Sequence, residues 1–77
     1  MTQADRILRH LREFGTITQY EAIREYGIMR LAARVSDLNH QGHRIRSRRR
    51  QRLNRYGEKT SYAEYYEEDS QIGNENH

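Results

Sequence analysis

Between Thr18 and Ser47 the chain sets helix starts, helix stops and apolar residues at spacings that leave little choice of local structure. Thr18, Gln19, Tyr20 and Glu21 have capping-box form: a hydroxyl that accepts from the backbone N–H three residues on, and a carboxylate that reaches back. Ala22, Ile23 and Tyr26 then supply a short apolar stripe, and Gly27 follows where a positive φ would end the helix. Beyond it, Ile28, Leu31, Ala32, Val35 and Leu38 recur at helical spacing, and Gly42 stands where a C-cap belongs. The spacing predicts a helix from about Gln19 to Tyr26, a tight turn, and a helix from roughly Met29 to Gln41. Arg30 and Arg34, four apart, are expected together on the face away from the stripe, with Met29, Ala33 and Asp37 beside them. A buried stripe backed by paired arginines on the second helix of a helix-turn-helix is the arrangement that enters a DNA groove.

Upstream, Thr2 is placed to cap a first helix, with Asp5 three residues on. Ala4, Ile7, Leu8, Leu11 and Phe14 form its stripe, and Arg6, Arg9, His10, Arg12 and Glu13 are expected to face water. Gly15 ends it, and Thr16-Ile17-Thr18 reads as a short β-branched link with Ile17 tucked into the core. The expected core is Ile7, Leu8, Leu11, Phe14, Ile17, Ile23, Tyr26, Ile28, Leu31, Val35, Leu38 and Ile45. Seventy-seven residues allow one domain. A chain this size buries only about 60% of its unfolded surface, so its core is marginal and a homodimer or other partner would help it.

Downstream of Gly42 the charge becomes extreme. Thirteen of the fourteen basic residues are arginine, whose planar fork suits phosphate and base edges better than lysine does. Residues 1–43 balance at +1, residues 44–62 at +7 and residues 63–77 at −5. His43-Arg44-Ile45-Arg46-Ser47 alternates as a short strand does. The block from Arg48 to Arg55 is compatible with a hairpin tip, a disordered loop or an arginine-rich helix formed on binding. Asn54, Tyr56 and Gly57 signal a turn, after which Thr60 to Tyr66 is rich in strand formers and is expected to pair back on residues 43–47. The candidate backbone-contacting cations are Arg44, Arg46, Arg48, Arg49, Arg50, Arg52, Arg55 and Lys59. Residues 67–77 read as an acidic tail: a solubiliser, a competitor folded over the basic block, or a nucleic-acid mimic.

Three helices followed by a basic hairpin make a winged helix. Glu21-Ala22, Tyr26-Gly27-Ile28, Arg30-Leu31-Ala32-Ala33-Arg34-Val35, Asp37-Leu38, Gly42-His43 and Ile45 resemble a family of small winged helix-turn-helix proteins encoded mainly by bacteriophages and prophages. Asn54-Arg55-Tyr56-Gly57 and Tyr62 to Tyr65 fit the same pattern where the wing closes. The resemblance covers about residues 3–66. It implies a mainly α fold of three helices with a small β-hairpin wing, divided as a DNA-binding domain over 1–66 and a tail over 67–77, and it favours the hairpin for residues 43–66. The chain departs from the pattern in its arginine-dense wing and acidic tail, which leave room for a role other than ordinary operator binding.

Other chemistries are poorly served. There is no cysteine, and His40-x-x-His43 has no second ligand pair, so no metal and no cofactor is expected. Ser36, Asp37 and His40 lie along one helix with no cleft implied, and the five glycines are isolated, so no enzyme is expected. No apolar run approaches the ~20 residues of a membrane span and no signal-peptide core follows Met1, so an intracellular protein is expected; the family resemblance implies the cytoplasm of a bacterial host cell. The expected partner is double-stranded DNA, for a transcriptional regulator or a recombination or replication accessory factor. Two alternatives are a protein-interaction module that engages a host enzyme, and an RNA-binding arginine-rich segment at residues 44–55.

Overall fold

The computed structural model describes residues 2–68. Three helices, α1 (Gln3–Phe14), α2 (Gln19–Tyr26) and α3 (Leu31–His40), pack on one face of an antiparallel sheet of β1 (Thr16–Thr18), β2 (Ile45–Leu53) and β3 (Lys59–Glu67), in strand order β1-β3-β2. This is the expected three helices plus wing, with more sheet than expected. Thr16-Ile17-Thr18 is a strand, not a link, because Ile17 opposite Tyr65 lets the far edge of β3 find a backbone partner. The hairpin runs the full length of the arginine block, from Ile45 opposite Glu67 to Leu53 opposite Lys59.

The predicted capping box at Thr18 forms, and the expected Thr2 cap is a full capping box as well. Thr2 Oγ1 accepts from Asp5 N–H at 3.1 Å, and Thr2 N–H donates to the Asp5 carboxylate at 3.2 Å. Thr18 and Glu21 repeat the pattern at 3.2 and 3.0 Å. Gly27 ends α2 in the left-handed region at φ 69°, a conformation that costs other L residues about 1–2 kcal/mol. At the wing tip the Asn54 side-chain carbonyl accepts from Tyr56 and Glu58 N–H, and Gly57 takes φ 79°.

The core is Ile7, Leu11, Ile17, Ala22, Ile28, Leu31, Val35, Leu38 and Ile45, each larger side chain contributing about 1.5–3 kcal/mol on burial. Two expected core members and one residue of the expected α3 stripe differ. Phe14 is 68% and Ile23 42% exposed, and Ala32 lies on an exposed flank of α3. Conversely His10, expected in water, is buried. It falls one turn from Ile7 on the inner face of α1, and its Nδ1 lies 2.7 Å from the Tyr26 hydroxyl with the two rings edge to face. Such a partner removes most of the cost of burying a polar ring. No helix among the described residues is long and apolar enough to cross a membrane.

α3 is secured by two side-chain amides. Gln19 Nε2 donates to Ile28 C=O at 2.8 Å and Gln19 Oε1 accepts from Leu31 N–H at 3.0 Å, which closes the turn into α3. Asn39 Nδ2 donates to Ile45 C=O at 3.0 Å and Asn39 Oδ1 accepts from Ile45 N–H at 2.8 Å, which joins the end of α3 to the start of the wing. Each amide takes the place of a peptide group in a ladder.

Removing one of these amides leaves two backbone groups unpaired. Asn39→Ala is expected to cost about 1–3 kcal/mol, read as a fall of roughly 4–8 °C in Tm per kcal/mol, while Asn39→Gln, with its longer stem, recovers little of it. A second expectation concerns acid. The Asp5 carboxyl is held below its ordinary value of 3.8, first by the Thr2 backbone N–H and then by the Thr2 hydroxyl. A lowered folded-state value stabilises above the ordinary pKa and is lost as pH falls through the lowered one. The Tm deficit of Asp5→Ala is therefore expected in full at neutral pH and is expected to shrink as pH falls below the ordinary value of 3.8 and through the lowered one.

Candidate nucleic-acid interface

α3 buries Leu31, Val35 and Leu38, the i, i+4, i+7 row. The residues opposite that row on a 3.6-residue period are Ala33, Ser36, Asp37 and His40. Ser36, Asp37 and His40 are exposed and Ala33 is half-buried. The helix starts at Leu31, so Met29 lies before it and Arg30 occupies the N-cap position, with no side-chain cap bond. Both are exposed at the leading end of α3. Gly42 follows the observed C-cap, Gln41.

Arg34 falls on the flank of α3 that faces the start of α1, where it lines a crevice with Thr2, Gln3 and Asp37. Its Nε is buried and lies 3.1 Å from Asp37 Oδ2, near enough for an ion pair but without hydrogen-bond alignment. The side chain as a whole stays 37% exposed, so its outer end reaches the rim of the helix. Asp37 is thereby an orienting carboxylate for Arg34. Ser36 and His40 are the outward residues that the sequence reading left out as contacts. Their signal was there, at i+3 and i+7 from Ala33. His40 Nδ1–H donates to Ser36 C=O at 2.8 Å, which steadies the ring on the helix surface.

The other flank of α3 meets the wing. Ala32, Ser36, Asn39 and His40 face Ser47 and Tyr65 across an open groove of about 420 Å³. In an antiparallel pair, residues directly opposite share a face, so the register sorts the arginine block. Ser47, Arg49, Gln51, Leu53 and Lys59 lie on the side of Ile45, towards α3, whereas Arg46, Arg48, Arg50 and Arg52 lie on the reverse side with Tyr66, Glu64, Tyr62 and Thr60. Arg44 precedes β2, and Arg55 sits in the turn with Tyr56. The eight wing cations thus form two sets, not one patch. On the reverse side Glu64 Oε1 lies 2.9 Å from Arg48 Nε and 3.8 Å from Arg50 Nε, Glu68 pairs with Arg46 at 3.4 Å, and the Arg48 guanidinium covers the Tyr66 ring at 4.8 Å.

The tail begins inside the fold. Glu67 is the last residue of β3 and pairs with His43 Nδ1 at 3.1 Å, and Glu68 N–H donates to Arg44 C=O at 2.7 Å. The rest of it, residues 69–77, lies outside the described residues. His40 and His43 therefore spend a ring nitrogen each on different partners, and no group of three or more His, Asp or Glu side chains suited to a metal occurs among the described residues.

Neither the curated proteins nor the solved structures compared with the chain returned a match. The sequence profile of the winged helix-turn-helix domain matches residues 2–67, nearly the span over which the three helices and the wing are observed. The chain belongs to the winged helix-turn-helix domain family, a DNA-binding fold.

Proposed function

We propose that the chain is a sequence-selective duplex DNA-binding protein, serving a phage or prophage as a transcriptional regulator or as an accessory factor in recombination or replication. The observation that carries the reading is the exposed outer face of α3, with Arg30 at its leading end and the α3 side of the wing beside it. In this reading α3 lies in the major groove, its first turn nearest the bases. Arg30 takes a base edge, for which guanine O6 and N7 are the natural bidentate acceptors of a guanidinium. Met29, Ala33, Ser36 and His40 provide the surrounding surface. Arg34, steadied by Asp37, reaches the phosphate at the groove rim.

Several features support this assignment. α1 and α2 have full capping boxes, whereas at the start of α3 Arg30 makes no side-chain cap bond and Gln19 takes the Leu31 N–H. A helix start of that kind is favourable for a backbone phosphate, because its amides and dipole both point to the anion. The α3 side of the molecule offers Arg30, Arg34, Arg49 and Lys59, and the two ends of the hairpin add Arg44 and Arg55, six cations for a single duplex. Like charges collected this way repel one another unless a polyanion lies among them.

Selection of bound duplexes from a random pool at about 150 mM salt, where sequence-blind binding is weak, is expected to return a preferred site. On that site Arg30→Ala costs about 1–3 kcal/mol and broadens the preference at one position, whereas Arg34→Ala weakens all sequences alike. An unbiased pool after selection, or an Arg30→Ala protein with unchanged affinity and preference, would refute the major-groove assignment. With six phosphates neutralised, the logarithm of affinity falls against the logarithm of salt with a slope of about −5, measured by fluorescence anisotropy. A slope near zero would rule out backbone contact by these cations.

A further inference from the structure

The residues proposed to meet DNA beside α3 use one face of the hairpin. The reverse face has a row of its own: Arg46, Arg48, Arg50 and Arg52, at every second residue of β2. Two residues of strand advance about 6.8 Å, so the row extends over about 20 Å. Two carboxylates, Glu64 and Glu68, face these four guanidiniums, and the contacts run to Nε. Among the described residues no terminal guanidinium nitrogen of Arg46, Arg48 or Arg50 makes a hydrogen bond. Glu64, only 16% exposed, steadies Arg48 and Arg50 from below while both stay about half exposed. The arrangement holds the forks in place and keeps their outer ends open to an anion.

We infer that this reverse face is a second binding surface for the phosphate backbone of duplex DNA, so that one molecule holds two duplex segments, one on each side of its wing. The first of those segments rests on the function proposed above; the second does not. Both faces cannot be served by the minor groove of one undistorted duplex. A ribbon with side chains on both faces is about 10 Å thick, and the groove is about 6 Å wide. A single strand is a poorer occupant than a duplex, since stacking needs open aromatic platforms, whereas Tyr66 lies under Arg48 and Tyr62 is half-buried. A protein partner is poorer too. Protein interfaces have an apolar centre, and this face presents Arg, Thr, Glu and half-covered Tyr side chains.

The test is a sandwich capture with the full chain. A duplex from the selection is immobilised, the protein is bound, and a fluorescent duplex of unrelated sequence is added. The parent is expected to retain the labelled duplex. Arg50→Gln with Arg52→Gln should hold the immobilised duplex within about two-fold of the parent, yet lose most of the capture and make its salt slope shallower by about 2. The double lysine variant should keep the capture, and melting by circular dichroism should be the same for all three. The inference is overturned if the parent captures nothing, or if the glutamine variant captures as well as the parent, which assigns bridging to pairs of molecules. It also fails if that variant loses both duplexes together, which means one duplex wrapped round the wing, or if single-stranded DNA competes better than duplex at equal phosphate. Should the pool show no preferred sequence, any duplex serves for immobilisation. Loss of capture in the glutamine variant then still upholds the reverse face while the α3 assignment falls.

Discussion

α3 depends at both ends on side-chain amides supplied to backbone groups. A ten-residue helix without a cap of its own is not stable alone in water. Gln19, from the first turn of α2, holds the peptide groups of Ile28 and Leu31, and Asn39 holds those of Ile45. The angle between the two helices of the helix-turn-helix and the approach of α3 to the wing are thus set by hydrogen bonds with defined direction. Apolar packing of Leu31, Val35 and Leu38 supplies adhesion, but it is non-directional. A reading surface needs the direction, because groove contacts fail when the helix turns by a fraction of its circumference.

The same division of labour runs through the sheet. β3 is the central strand and carries nearly all the partners: Ile17 and Ile45 meet it from its two sides, and Tyr65 between them packs against the core. Being central, it can bear Glu64 and Tyr66 at half-covered positions, where they contact Arg48. β2 is the longer of the two edge strands, and its cationic side chains discourage edge-to-edge pairing with another sheet. In the proposed function the same basic edge also attracts DNA.

Much of the architecture was legible locally. Capping boxes at Thr2 and Thr18, the left-handed Gly27 and the turn at Asn54–Gly57 each draw on residues within four or five positions, so a sequence window contains the whole interaction. Ile7, Leu11, Leu31, Val35 and Leu38 were legible because helical period and burial coincide. His10 was misread because its partner, the Tyr26 hydroxyl, belongs to another helix. Phe14 and Ile23 were misread because apolar character records what burial would gain, not whether another element arrives to cover the side chain. β1 was missed because three residues make no strand without β3 to pair with.

For the interface the divide is sharper. Composition and order determined that a dense guanidinium block would follow a helix-turn-helix, that the block would turn at Asn54–Gly57, and that the whole would be attracted to polyanions. That Arg30 stands at the N-cap of α3 and not within the helix was decided only by where α3 begins, at Leu31, whose N–H Gln19 holds from α2. The splitting of the block into an α3 side and a reverse side was decided by register against β3. A shift of one residue would exchange the two sets, because side chains alternate with a period of two. Charge is additive along a chain and can be read in one dimension; direction belongs to the tertiary structure, since it is set by partners distant in sequence.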